Sequence, residues 1–137
     1  MPNSLKAEVF YDVFREMIAL VHSSTDVNEV LELVAWKVTQ ILGAKGTIVR
    51  ILNVEKGQLE LGAACGLSEN YLSKGPVTNQ KMIAEFYSAD RPIIVDDILN
   101  DPRIQYKQEA WDEGIRMMLN LPITPRKNLV GVIRVLF

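Results

Sequence analysis

Two apolar runs of strand length, residues 114–123 and 129–137, flank a polar turn at residues 124–128, and that pattern predicts a closing β-hairpin. A strand with one wet face alternates apolar and polar residues. These two are apolar at most positions, so both of their faces need cover. A sheet covered on both faces can hold a pocket. Arg116, Asn120 and Arg134 break the apolar rule, and a functional argument starts from them.

With 137 residues, 48% of them hydrophobic, and a formal net charge of -2, the chain is expected to form a single soluble domain around one core. No apolar run reaches the roughly 20 residues needed to cross a bilayer. Lys6, Glu8, Asp12, Arg15 and Glu16 interrupt the N-terminal stretch where a signal peptide needs an unbroken apolar core. A cytoplasmic location is expected. The one cysteine, Cys65, excludes an internal disulfide framework and leaves too few thiolates for a cysteine-based zinc site. Basic residues are scattered, with only Arg126 and Lys127 adjacent, so neither nucleic acid nor a membrane surface is an expected partner.

Over residues 4–22, Leu5, Val9, Val13 and Met17 form one row at helical spacing, and Phe10, Phe14, Ile18 and Val21 form another. One row can serve the core and the other a partner, so residues 1–22 read as a dimerisation or signalling helix. After Ser23, Ser24 and Thr25, Asp26 with Glu29 makes a capping-box pattern that opens a second helix. Val27, Val30, Leu31, Val34, Val38, Ile41 and Leu42 share one side of it, Trp36 lies on the other, and Gly43 suits its C-terminal stop. Residues 47–54 and 58–65 read as a hairpin around Lys56 and Gly57. Residues 66–76 read as a loop, 80–88 as a helix, 93–95 as a short strand after Arg91 and Pro92, and 105–113 as a last short helix. The chain stops on Val135, Leu136 and Phe137 without a polar end, which suggests a fragment of a longer protein.

In that order the pieces resemble a GAF domain, the small-molecule sensor module of signalling proteins. The resemblance is carried by residues 26–31 opening the second helix, Leu42-Gly43-Ala44, residues 61–68, residues 91–97, Asp101-Pro102-Arg103, Gly114-Ile115-Arg116, residues 119–123 and residues 130–133. It implies an α+β fold, an α/β sandwich with a central antiparallel five-stranded sheet in order 2-1-5-4-3. The N-terminal helices would cover one face, and pocket-forming helices and loops the other. The whole chain, 1–137, would be one such domain, with 23–137 as the sensor core and the family's C-terminal helix missing.

If a three-residue turn at residues 55–57 pairs Val54 with Gln58, Arg50 lies opposite Gly62 and Leu52 opposite Glu60. Thr47, Val49, Ile51, Leu59, Leu61, Ala63 and Cys65 then share one side of the first hairpin. Ile48, Arg50, Leu52, Glu60 and Gly62 share the other. If Ile123 pairs with Leu129, then Arg116, Met118, Asn120, Val132, Arg134 and Leu136 share one face of the closing hairpin. The helices need the apolar side, which leaves the guanidinium groups facing the pocket. A buried guanidinium needs an anion or several hydrogen bonds to offset its desolvation. Two partners are open: internal carboxylates at Glu60, Asp96 or Asp97, the commoner solution, or an anionic ligand held in bidentate fashion by Arg50 and Arg134 with Asn120 assisting.

Tyr106 and Trp111 fall in the last short helix and are further candidates for the pocket wall, as aromatic core packing also explains. Cys65 reads as a small buried hydrophobe rather than a nucleophile. His22 has no second histidine to share a metal, and Asp96, Asp97 and Asp101 fit ordinary turns better than a cation site. No cofactor is assigned. The expected function is that of a non-enzymatic regulatory domain in a larger signal-transduction protein, such as a sensor kinase or transcription regulator. It would bind an unidentified, anionic small molecule and form a homodimer through its N-terminal helices. The alternatives are a redox enzyme of the free methionine sulfoxide reductase type, which needs paired pocket cysteines, and a ligandless dimerisation scaffold.

Overall fold

A computed structural model describes residues 27–137; the predicted N-terminal helix, His22 and the Asp26 half of the capping box lie outside them. The described chain runs α1 (Val27–Leu42), β1 (Gly46–Asn53), β2 (Gln58–Cys65), α2 (Glu69–Leu72), α3 (Gln80–Ser88), β3 (Ile93–Val95), α4 (Lys107–Asp112), β4 (Met118–Ile123), a 3-10 turn (Pro125–Lys127) and β5 (Gly131–Leu136). The five strands form one antiparallel sheet in the order β2-β1-β5-β4-β3. This is the α+β sheet order expected from the resemblance.

Helix α1 ends where Gly43 turns left-handed, with φ 60°, a conformation glycine adopts without a Cβ clash. Val30, Val34, Ala35, Val38 and Leu42 are buried against Val49, Ala63, Leu119, Leu121, Ile133 and Val135 of the sheet. Val27 and Ile41 share the azimuth of that stripe but sit at its two ends, and they remain exposed, as does Trp36 on the outer side. The second core lies across the sheet. It joins Ile48, Leu59, Met118, Val132 and Leu136 to Met82, Ile83 and Phe86 of α3 and to Ile98, Ile104 and Ile115 from the connecting segments.

The first hairpin departs from the expected register. Its connection has four residues, 54–57, so Asn53 pairs with Gln58, Leu52 with Leu59 and Ile51 with Glu60. A bulge between Val49 and Arg50 restores the expected pairing of Val49 with Ala63. Gly62 occupies the bulge and faces α1, since a Cβ there would meet Leu31 at 3.3 Å. A slip of one residue turns side chains to the opposite face. Leu59 therefore joins the core opposite α1, and Leu61 is left exposed. The expected placement of Leu59 and Leu61 beside Val49, and of Gly62 beside Arg50, is thereby corrected.

The closing hairpin also slips, by two residues. Ile123 pairs with Gly131 rather than Leu129, because the 3-10 turn and two left-handed residues, Arg126 (φ 52°) and Lys127 (φ 67°), lengthen the connection. An even slip leaves every face unchanged. Met118, Asn120, Val132, Arg134 and Leu136 accordingly share one side, as the sequence pattern predicts.

Candidate functional site

Arg50 on β1, Arg134 on β5 and Asn120 on β4 alternate with the residues packed on α1, so all three turn to the other core. Their exposures are 1%, 5% and 0%. Ile48 pairs with Arg134 and Arg50 with Val132 across the β1–β5 ladder, which sets the two guanidinium stems two residues apart on neighbouring strands. Arg134 Nε donates to Asn120 Oδ1 at 2.7 Å, and Asn120 Nδ2 donates to the Ile93 carbonyl at 3.3 Å. The terminal nitrogens of Arg134 have no hydrogen-bond partner among the described residues. Arg50 makes one long bond, from Nη1 to the Leu59 carbonyl at 3.4 Å, and its Nε is buried without a partner.

Of the internal carboxylates the sequence offers, Glu60 and Asp97 are engaged elsewhere and Asp96 is exposed. Glu60 has turned to the far face with the register slip and accepts from Gln58 at 2.8 Å and Asn53 at 3.3 Å; these bonds hold its carboxyl below the usual range. Asp97 accepts from the backbone and side chain of Asn100. Asp101 and Glu85 both pair with Arg103. Among the described residues, neither buried arginine has a salt bridge to a carboxylate. Burial pushes the pKa of Arg50 down, and that of Arg134 down to about 10, while the Tyr71 phenol works in the opposite direction on both.

Two residues absent from the sequence-based candidate set complete this environment. The expected loop at 66–76 contains the one-turn helix α2, capped by Ser68, whose Oγ accepts from the Tyr71 amide at 3.1 Å. The turn buries Tyr71 to 2% exposure and carries Lys74, whose Nζ lies 3.6 Å from the centre of the Tyr71 ring. Burial first, and then repulsion from Arg50 and Arg134, bring Lys74 down to about 7. Ser68 followed by Glu69 was a legible helix-start signal, but nothing in the sequence pointed Lys74 toward two arginines 24 and 60 residues away.

The other predicted candidates divide. Met118, 1% exposed, belongs to the same core. Tyr106 sits just before α4 and donates from its hydroxyl to the Pro76 carbonyl at 2.7 Å, strapping the α2–α3 connection over the site. Arg116 and Trp111 do not join it. Arg116 precedes β4, is exposed, and stacks 3.5 Å from the centre of the partly exposed Trp111 ring, because the strand begins only at Met118. Cys65 is half-buried at the margin of the core beneath α1, across the sheet from the arginines. Among the described residues no group of three or more histidine, cysteine or acidic side chains could hold a metal ion, and no helix is long and apolar enough to cross a membrane.

A family model described as GAF domain matches residues 24–137. This chain belongs to the GAF domain family. GAF domains are typically sensor and regulatory modules of signalling proteins. Among solved structures, this GAF domain is similar to the one from a phosphoenolpyruvate-protein phosphotransferase of Coxiella burnetii, with 20% identity and a TM-score of 0.72 over 92% of this chain and 76% of that one. It is similar also to a domain of a putative two-component sensor histidine kinase from Sinorhizobium meliloti (20%, TM-score 0.65, 83% and 74%). A free methionine-R-sulfoxide reductase from Neisseria meningitidis, in complex with its substrate, is a third neighbour (15%, TM-score 0.71, 99% and 77%). At these identities the likeness shows the fold. No curated protein matches the sequence.

Proposed function

We propose that this GAF domain is a non-enzymatic, cytoplasmic regulatory module that binds a small anionic molecule and belongs to a larger signal-transduction protein. The observation that carries the reading is the burial of Arg50 and Arg134 on one sheet face without a carboxylate partner among the described residues. Keeping a guanidinium out of water costs several kcal/mol unless a counter-charge offsets it. An anion seated between them would supply that charge, with Asn120 fixing the orientation of Arg134. The phosphotransferase and sensor-kinase contexts of its structural neighbours fit such a role. Exposed Leu33 and Trp36 on the outer side of α1 suit a homodimer contact.

The likeness to a methionine sulfoxide reductase favours a second, enzymatic reading. Against it stands Cys65, a lone cysteine on the opposite side of the sheet, because a disulfide-forming redox cycle needs two thiols in reach of each other. A reductase assay with free methionine sulfoxide decides: turnover that disappears in Cys65→Ser would establish the enzyme. The sensor reading is tested by thermal-shift screening of anionic metabolites, nucleotides and tetrapyrroles. The expected result is an anionic hit that raises the melting temperature of the wild type and has no effect on Arg50→Ala or Arg134→Ala. Equal stabilisation of all three proteins contradicts the assignment.

A further inference from the structure

The unpartnered hydrogen-bonding atoms around the two arginines are mostly donors. Arg50 Nε is buried and unpaired, and among the described residues nothing claims the terminal nitrogens of Arg134. Lys74 spends one of its three protons on the Tyr71 carbonyl, at 3.2 Å. The Tyr71 hydroxyl makes no hydrogen bond to a described residue, and it lies close enough for both arginines to favour its ionised form against its burial. Asn120 has its oxygen and its nitrogen engaged already. A ligand that itself offers N–H or O–H groups would find few acceptors here. A deprotonated oxyanion would find donors on several sides.

The charge count sharpens this. A single carboxylate neutralises one guanidinium and leaves the other uncompensated among side chains such as Ile48, Leu59 and Val132, each 0% exposed. We infer that the site takes a compact oxyanion carrying two negative charges, and that Lys74 and Tyr71 complete the grip of Arg50 and Arg134 on it. The inference rests on the anion-binding reading above. Two charges balance the two guanidinium groups, the Tyr71 hydroxyl donates a further hydrogen bond, and Lys74 adds the third cation from the segment after α2. Both a dicarboxylate and a phosphoryl group meet this description, one with two planar forks and the other with a tetrahedral array of oxygens.

The test is isothermal titration of the wild type at near-neutral pH and constant ionic strength with succinate, inorganic sulfate and acetate. Succinate or sulfate is expected to bind at least about tenfold tighter than acetate, and whichever of the two wins identifies a carboxylate or a phosphoryl-type ligand. In Lys74→Met the ratio of dianion to acetate affinity is expected to fall several-fold while staying above one, since Arg50 and Arg134 remain, with the melting temperature of the free protein reporting that the fold is intact. Tyr71→Phe, which keeps the ring beneath Lys74, is expected to weaken the dianion several-fold. Acetate binding as tightly as both dianions, or a ratio unchanged in Lys74→Met, overturns the inference while leaving an anion site in place. Absence of binding by all three probes, together with a failed metabolite screen, removes the anion site itself.

Discussion

Asn120 and Arg134 face each other across the β4–β5 ladder, and Arg134 Nε donates to Asn120 Oδ1 at 2.7 Å. Arg50, one strand further along the sheet, has no such side-chain partner. The two cations are therefore buried on unequal terms, and replacing them should have unequal consequences.

Arg50→Met exchanges a poorly satisfied buried cation for an apolar chain of similar length, and such exchanges are often neutral or stabilising by about 1–4 kcal/mol. Arg134→Met strands the Asn120 oxygen, at a cost of about 1–3 kcal/mol. Urea unfolding of the free protein should rank Arg50→Met at or above the wild type and Arg134→Met below Arg50→Met. A destabilised Arg50→Met would mean that Arg50 serves the fold rather than a ligand.

Lys74 gives the free protein a defined pH response. Arg50 on β1 and Arg134 on β5 repel its proton, and Glu109 and Glu113 attract it. Tyr71 from α2 and Tyr106 at the start of α4 present their rings to it. Burial, with the two arginines adding to it, brings its pKa down to about 7 in the folded state, against an ordinary 10.5. In that window the unfolded chain binds the extra proton, so stability rises with pH. The melting temperature of the wild type should climb relative to Lys74→Met from neutral toward alkaline pH. For a bound anion the sign is opposite, because the anion favours charged Lys74, and affinity should fall as pH rises through the same region.

Ser68 joins the site to the segment after α4. Its hydroxyl caps α2 through the Tyr71 amide and donates to Glu113 Oε1 at 2.6 Å, while its own amide donates to Glu113 Oε2 at 2.7 Å. Removing an N-cap hydroxyl costs about 1 kcal/mol. Ser68→Ala should lower stability by that order in denaturant titration, and it should weaken anion binding as well, since Tyr71 and Lys74 both follow the cap.

Gly131 lies where β5 crosses closest to Arg50, and an added Cβ would press on the Arg50 carbonyl. The neighbour is backbone and has little freedom to yield. Gly131→Ala should destabilise the domain by about 1–3 kcal/mol, as overpacking does, with the loss visible in a shifted urea midpoint.

Helices α1 and α3 and the shared face of Asn120 and Arg134 were legible in the sequence because hydrophobic period and short apolar runs determine them, whereas the sheet order was expected from the family resemblance alone. The two hairpins show where that legibility stops. Both registers were misjudged from turn length, but the closing hairpin slipped by two and kept its faces, whereas the first slipped by one until Gly62 restored it. That one-residue slip sent Glu60 away from Arg50 and brought Leu59 to its face, which removed one of the internal carboxylate partners the sequence had offered. Lys74 and Tyr71 were invisible for a different reason. Their approach to the arginines depends on how the α2 segment packs over the sheet, a contact between distant parts of the chain that leaves no periodic trace.

The most direct measurement follows the Nε–Hε resonances of Arg50 and Arg134 by nitrogen-15 NMR during titration with succinate and with sulfate, assigned through Arg50→Met and Arg134→Met. The account predicts that one of these anions shifts both resonances along a single saturating curve, with the Arg50 proton gaining the hydrogen bond it lacks. Two resonances that stay fixed throughout both titrations would contradict it.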